Sequence, residues 1–146
     1  MVVKVNGERL TDAEVAEELP FHQEAPQPWR SAVITLVLKR LVLAEAAERG
    51  LATDDAEAAT AFLLSTQLHL PEVDEAACRR CYTQQVARAV ARGQAAPPFE
   101  QVAGDIAQAL RAANQDAAWR QYAQLLLGRA RIEGIDLAGA DTPLVQ

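Results

Sequence analysis

Cys78 and Cys81 form the motif in this sequence that most directly suggests chemistry, C-R-R-C. Two thiols three residues apart on a helix lie on neighbouring faces, and the arginines between them would favour the thiolate form. The same spacing occurs in zinc and redox sites, but a closed zinc site needs two further ligands. Because a free cysteine is commonly a small buried hydrophobic residue, we interpret both as structural. A metal site or a thiol sensor is the alternative.

The other residue types used in catalysis are few and poorly placed. The chain has two histidines, His22 and His69. His22 stands in a proline-rich loop without a partner that the sequence identifies, and His69 stands at a helix end, where it suits capping or the surface. The acid pairs at 54–55 and 17–18 fall in opening or exposed turns, and no nucleotide-binding or serine-hydrolase motif is present. We expect no catalytic residues, no cofactor and no metal.

Phe21 and Trp29 are the candidate partner-binding residues. Aromatic residues make up only 5% of the chain, and these two lie near the two ends of the loop Pro20–Trp29, which contains three prolines and has no periodicity. One interpretation is that they cover the central helix. The other is that they edge a groove for an extended or helical partner segment, because aromatic residues are enriched at binding surfaces.

These residues must be positioned by the central segment Pro28–Arg49. Its apolar residues cover most of the circumference of a helix, and Gly50 suits the left-handed position just past its end. Lys39 and Arg40 interrupt the apolar run, which is therefore shorter than the roughly 20 residues that a membrane span needs. We predict a core helix enclosed by the rest of the chain.

Helix-start signals divide the segments on either side of this helix. Thr11 and Glu14 form a capping box for a first helix that begins at Asp12. Thr53 and Asp74 are placed to cap a third and a fourth helix. The sequence therefore predicts short helices wrapped around the long one.

The two ends of the chain are expected to meet. The last helical pattern begins at Phe99, and residues 114–116 weaken its middle, so one long helix and two shorter ones are both open. A β-prone segment at Arg131–Glu133 follows it, and another, Val3–Val5, opens the chain. Because an isolated strand leaves its backbone groups unpaired, we predict that these two pair. The fold class is mostly α, with five to six helices and a small two-stranded β element.

Composition and charge narrow the class of protein. A chain of 146 residues that is 50% hydrophobic and rich in alanine fits one helical domain, 1–137, with a mobile tail at 138–146. The net charge of −6 and the scattered basic residues argue against nucleic-acid binding. The start of the sequence has no long apolar run, and two cysteines make no disulfide framework, so we expect a cytoplasmic protein.

The order of these elements resembles the SurA-type chaperone domain of the parvulin foldases, most closely the NifM-like members. VKVNGERLTDAEV resembles the start of that domain, and LKRLVLAEAAERGL (Leu38–Leu51) resembles its central helix. LPEVDEAACRRCY (Leu70–Tyr82) resembles the following segment, with Cys81 where an aromatic residue is common. FEQVAGDIAQAL and QYAQLLLGRARIEGIDL resemble the returning helix and the closing strand.

The departure from the family lies at residues 90–98, where those foldases usually carry an inserted isomerase domain. This interval is too short for one, so isomerase activity is not expected. The resemblance then implies a non-catalytic, chaperone-like or assembly-factor domain that binds unfolded polypeptide or a partner enzyme under assembly. The alternative from another class is a structural adaptor that homodimerises or docks on one partner through its alanine-rich last helix. A thiol sensor is a third hypothesis.

Overall fold

Residues 2–136, the part of the chain that this computed structural model describes, contain five α-helices and one small antiparallel sheet. The helices are α1 (Asp12–Glu18), α2 (Pro28–Glu48), α3 (Ala56–Gln67), α4 (Glu75–Ala91) and α5 (Phe99–Arg129), and a short 3-10 helix, Leu19–His22, follows α1. The strands are β1 (Lys4–Val5), β2 (Glu8–Arg9) and β3 (Ile132–Glu133). The predicted mostly α fold is confirmed. The predicted mobile tail lies outside the described residues.

The sheet joins the two ends of the described chain. β1 is the middle strand and pairs antiparallel with both β2 and β3. The Asn6 N–H donates to the Arg131 carbonyl at 2.7 Å, and the Arg131 N–H donates to Asn6 Oδ1 at 2.8 Å. The predicted pairing is confirmed, but the sheet has three strands because the Asn6-Gly7 turn, with φ values of 50° and 86°, folds β2 back onto β1.

Gly134 follows β3 at a position that only glycine fits. Its φ is +88°, and a Cβ built on it would lie 2.0 Å from the carbonyl oxygen of Val2. The close approach of the two chain ends therefore depends on the absence of a side chain here.

The helix α2 forms the centre of the core, as predicted. Nine of its 21 residues are buried, and Gly50 has the expected positive φ of 112° just past its end. The largest side chains with almost no exposure in the described part of the chain are Ile34, Leu38, Leu63, Val33, Val37 and Val42, of which all but Leu63 belong to α2. Residues from β1, α3 and the end of α5 complete the same cluster.

Two of the three expected helix caps are confirmed. α1 begins with the complete capping box, and the Asp74 side chain of α4 accepts from the Ala77 N–H at 2.8 Å. The expected cap of α3 is wrong. The Thr53 hydroxyl accepts from the Asp55 N–H at 3.1 Å, which holds a turn ahead of the helix, so Asp55 becomes the cap and α3 begins at Ala56.

The contacts divide the chain into two compact units. One consists of Met1–Leu68 with Trp119–Gln146, and the other is His69–Ala118. The helix α5 contributes to both and is continuous through residues 114–116, which settles the choice between one helix and two. That 1–137 acts as one domain remains a prediction.

Within the unit His69–Ala118, a loop joins α4 to α5 in the interval where the resembled family carries its insertion. The Tyr82 hydroxyl donates to the Pro97 carbonyl at 2.5 Å, and the Tyr82 ring meets the Phe99 ring edge-on at 5.4 Å. These contacts hold the loop against α4.

Candidate functional site

An open groove of about 850 Å³ lies in the unit formed by Met1–Leu68 and Trp119–Gln146, and residues of α1, the 3-10 helix, α2 and α3 line it. From α2 it receives Thr35, Lys39 and Leu43, which are four residues apart and therefore share one face of that helix. The 3-10 helix and α3 supply its other walls. We call this feature the groove.

The apolar residues that line the groove include one exposed aromatic ring. Phe21 is 82% exposed, although it lines the groove, while Leu43 and Leu64 are half-buried along it. Phe21 also lines a neighbouring cavity of about 610 Å³ with Pro26 and Ile34. The interpretation that Phe21 covers the central helix does not fit this exposure, because a covering side chain would itself lose most of its contact with water.

A chain of polar contacts fixes the wall that carries Phe21. The buried His22 ring contacts Ser31 Oγ through Nδ1 and Glu18 Oε1 through Nε2, each at 2.9 Å, and Lys39 Nζ donates to Glu18 Oε2 at 3.0 Å. Burial alone would raise the pKa of Glu18, but the hydrogen bonds from His22 and Lys39 outweigh it and lower the pKa below its usual range. Sequence reasoning missed these partners of His22, although the i,i+4 spacing of Glu18 and His22 was a signal.

Hydroxyl, imidazole and carboxylate also stand in hydrogen-bonded order in serine hydrolases. Here the second oxygen of the Glu18 carboxylate is bound to Lys39, which weakens its capacity to stabilise a charged imidazole. Ser31 lies in the first turn of α2, and its N–H donates to the Gln27 carbonyl at 3.0 Å. We interpret this series of polar contacts as a clamp that ties the 3-10 helix to α2.

The groove is acidic where α3 begins. Asp54, Asp55 and Glu57 line it there, all three are exposed, and we call them the acidic edge. Among the described residues, no Lys, Arg or His nitrogen comes within 4.0 Å of their carboxylates, whereas Lys39, which also lines the groove, is held by Glu18. The groove therefore carries uncompensated negative charge at the start of α3.

Thr35 places an unpartnered hydroxyl at the groove. The residue is only 3% exposed, and its hydroxyl makes no hydrogen bond to any residue between positions 2 and 136. The hydroxyl is still open to water, because among the described residues the one enclosed side-chain nitrogen or oxygen without a partner is the Tyr122 hydroxyl. Thr60, which lines the same groove, differs because its hydroxyl donates to the Ala56 carbonyl at 2.7 Å. The Thr35 hydroxyl can therefore bond to water or to a ligand atom in the groove.

Trp29 lies on a different feature. It is 42% exposed and lines a separate cavity of about 360 Å³ with Val3, Leu10 and Val15. The two predicted contact residues therefore face different surroundings, and only Phe21 adjoins the groove.

Cys78 and Cys81 are both free thiols on α4, the first buried and the second half-buried. The neighbouring Arg79 pairs with Glu75 at 3.0 Å and stacks over the Phe99 ring at 4.4 Å, so its charge is engaged away from the thiols. Within residues 2–136, no three His, Cys, Asp or Glu side chains form a group that could hold a metal ion. The burial of Cys78 fits the structural interpretation.

Comparison of the chain with protein-family models, with curated proteins and with solved structures found no match. Of the helices between residues 2 and 136, none combines the length and the apolar character needed to cross a bilayer. The resemblance to the SurA-type domain therefore stays a prediction.

Proposed function

We propose that this protein is a chaperone-like or assembly-factor domain that binds segments of unfolded or immature polypeptide in the groove. The observation that carries this proposal is the open groove of about 850 Å³ bordered by the 82% exposed Phe21. Concave sites of about 300–1,000 Å³ are typical of ligand binding, and aromatic side chains at their edges are typical anchors.

Binding of this kind needs no covalent step. Burial of one large apolar side chain contributes only about 1.5–3 kcal/mol. A groove with three large apolar contacts, Phe21, Leu43 and Leu64, therefore supports weak and reversible binding. That is suited to a protein that covers apolar segments of a client temporarily and releases them as the client folds.

The direct test is suppression of aggregation. Light scattering of citrate synthase at an unfolding temperature should fall in the presence of the protein, and Phe21→Ser should remove most of this effect. Val90→Ser is the matched control, because Val90 is also an exposed apolar residue (67%) but belongs to the other unit. Unchanged scattering with the wild-type protein, or equal losses in both variants, would contradict the proposal.

A structural adaptor is the second candidate function. Its supporting observation is Leu125, a 52% exposed leucine on α5, the helix through which an adaptor would homodimerise or dock. Light scattering measurements of mass over a range of concentrations distinguish the two. A stable dimer that Leu125→Ser dissociates would favour the adaptor, whereas a monomer that suppresses aggregation would favour the chaperone-like function.

A further inference from the structure

We infer that the groove selects extended polypeptide segments in which an aliphatic residue is flanked by lysine or arginine. This inference rests on the proposed function and specifies which segments the groove takes. Three independent features of the groove carry it: its acidic edge, the Thr35 hydroxyl, which has no partner among residues 2–136, and its apolar wall.

The acidic edge determines the charge of the occupant. Asp54, Asp55 and Glu57 have no basic partner within ion-pair distance among the described residues, and the one ammonium that lines the groove, Lys39, is neutralised by Glu18. A lysine or arginine in the bound segment would pair with these carboxylates, while an acidic side chain would be repelled. Charge complementarity therefore favours a basic segment.

The Thr35 hydroxyl determines the backbone conformation of the occupant. It has no partner among residues 2–136 and opens to the groove from α2, so a bound segment can replace water as its hydrogen-bond partner. In a helix the backbone groups are bonded to each other except at the ends, whereas in an extended segment every residue presents a free N–H and C=O. An extended segment can therefore satisfy Thr35 from its backbone, whatever its side chains.

The apolar wall determines the residue between the charges. Phe21, Leu43 and Leu64 lie along the groove with Thr35 and the acidic edge. A Val, Leu or Ile side chain would bury apolar area against these three, and the alternation of side chains along a strand sends its neighbours toward the rim. The volume of about 850 Å³ suits a few residues of chain, not a folded domain.

The experiment compares two fluorescein-labelled ten-residue peptides with the same Val, Leu and Ser residues, one carrying lysine and the other glutamate at each charged position. Fluorescence anisotropy with the full-length protein should show about tenfold tighter binding of the lysine peptide at low salt. The preference should shrink at 1 M NaCl, where the Debye length falls to about 3 Å. A proline in the middle of the lysine peptide, which prevents a helix, should leave its affinity unchanged.

The variant that tests the acidic edge is Asp54→Asn, Asp55→Asn and Glu57→Gln together. Asparagine keeps the capping role of Asp55, so α3 should still form. The matched control is Glu72→Gln, Asp74→Asn and Glu75→Gln, which removes three charges around the cap of α4 in the other unit. We expect the first triple variant to reduce the preference to about twofold, while the control keeps the tenfold preference.

The outcomes separate this inference from the proposed function. Equal binding of the two peptides, tighter binding of the glutamate peptide, loss of binding with the central proline, or equal effects of both triple variants would each overturn the inference. Suppression of citrate synthase aggregation is measured independently of charge selection. A protein that suppresses aggregation but fails the peptide test would retain the proposed function, and a protein without suppression would lose it.

Discussion

Replacing Thr35 with valine should make the protein more stable and a weaker binder at the same time. Threonine and valine have the same branched shape and nearly equal helix propensity, so the substitution in α2 changes little except the hydroxyl. In the wild-type protein the residue is only 3% exposed, and its hydroxyl has no hydrogen-bond partner among residues 2–136 but is open to water in the groove. The variant replaces this hydroxyl with a methyl group.

The expected gain is small because water in the open groove can bond to the hydroxyl. A fully buried hydroxyl without a partner costs about 1–3 kcal/mol, and a hydroxyl that reaches water carries only a fraction of that cost. We therefore expect the free energy of unfolding to rise by up to about 1 kcal/mol. For a chain of this size that corresponds to an increase in melting temperature of up to about 3 °C.

Binding should change in the opposite direction. If the Thr35 hydroxyl bonds to the backbone of a bound segment, its removal costs one hydrogen bond of about 0.5–1.5 kcal/mol. The lysine peptide should therefore bind about two- to tenfold more weakly to the variant. Stability gained together with function lost is the usual consequence of correcting an unfavourable group that serves binding.

The assays are equilibrium urea unfolding followed by circular dichroism, and anisotropy with the labelled lysine peptide. Thr60→Val is the matched control, because Thr60 lines the same groove but its hydroxyl already donates to the Ala56 carbonyl. That control should change stability by no more than about 0.5 kcal/mol and leave peptide affinity unaltered. A loss of stability in Thr35→Val would show that the hydroxyl has a partner in the folded protein and would refute the reasoning.

Three further predictions concern two glycines, the Glu18 carboxylate and the two cysteines. Gly134→Ala should destabilise the protein by about 1–3 kcal/mol, because the new Cβ would meet the Val2 carbonyl. Gly128→Ala inside α5 should instead stabilise it by up to about 1 kcal/mol, because nothing lies within 4 Å of the new Cβ. Thermal melts of both variants check these expectations. Glu18→Gln should destabilise the protein near neutral pH. Because the pKa of Glu18 is lowered in the folded state, its contribution to stability is complete above the ordinary value of 4.5 and disappears as the pH falls through the lower folded pKa. Urea unfolding over a pH series should therefore show the difference from wild type shrinking toward acid, with Glu17→Gln at an exposed neighbouring position as the control. Cys78→Ser should lower the free energy of unfolding by about 1 kcal/mol and Cys81→Ser by less than about 0.5 kcal/mol, because the first thiol is buried and the second is half-buried. Urea unfolding of both variants measures this difference. If oxidation changes aggregation suppression or oligomeric state, and both substitutions abolish that change, the result would instead support the thiol sensor.

The local features that the sequence predicted correctly are those controlled by near neighbours. The capping box of α1 and the glycine after α2 each depend on a short pattern with one favoured outcome. The pairing of the chain ends is the exception, because it joins Asn6 to Arg131, 125 positions away, and followed from the need of an isolated strand for a partner. The cap of α3 shows the limit, because two adjacent candidates, Thr53 and Asp55, compete for it. The choice between them follows from a turn that positions Asp55, which residue types alone do not specify.

The groove itself could not be read from the sequence, because its residues come from three separated segments. Only the tertiary packing of the 3-10 helix, α2 and α3 brings Phe21, Leu43 and Asp54 to one site. The same packing gives His22 its partner Ser31, nine positions away. In the sequence, Thr35 is one polar position in an apolar helix, and its lack of a partner becomes visible only when its surroundings are known.

The position of the groove also bears on the interval 90–98, where the predicted resemblance would place an inserted domain. The residues that line the groove fall between Glu18 and Leu64, in the unit formed by Met1–Leu68 and Trp119–Gln146. The interval 90–98 belongs to the unit His69–Ala118. None of the side chains that line the groove is therefore contributed by the segment that an insertion would interrupt. The binding that we propose accordingly depends on residues outside this interval, whether or not the resemblance holds.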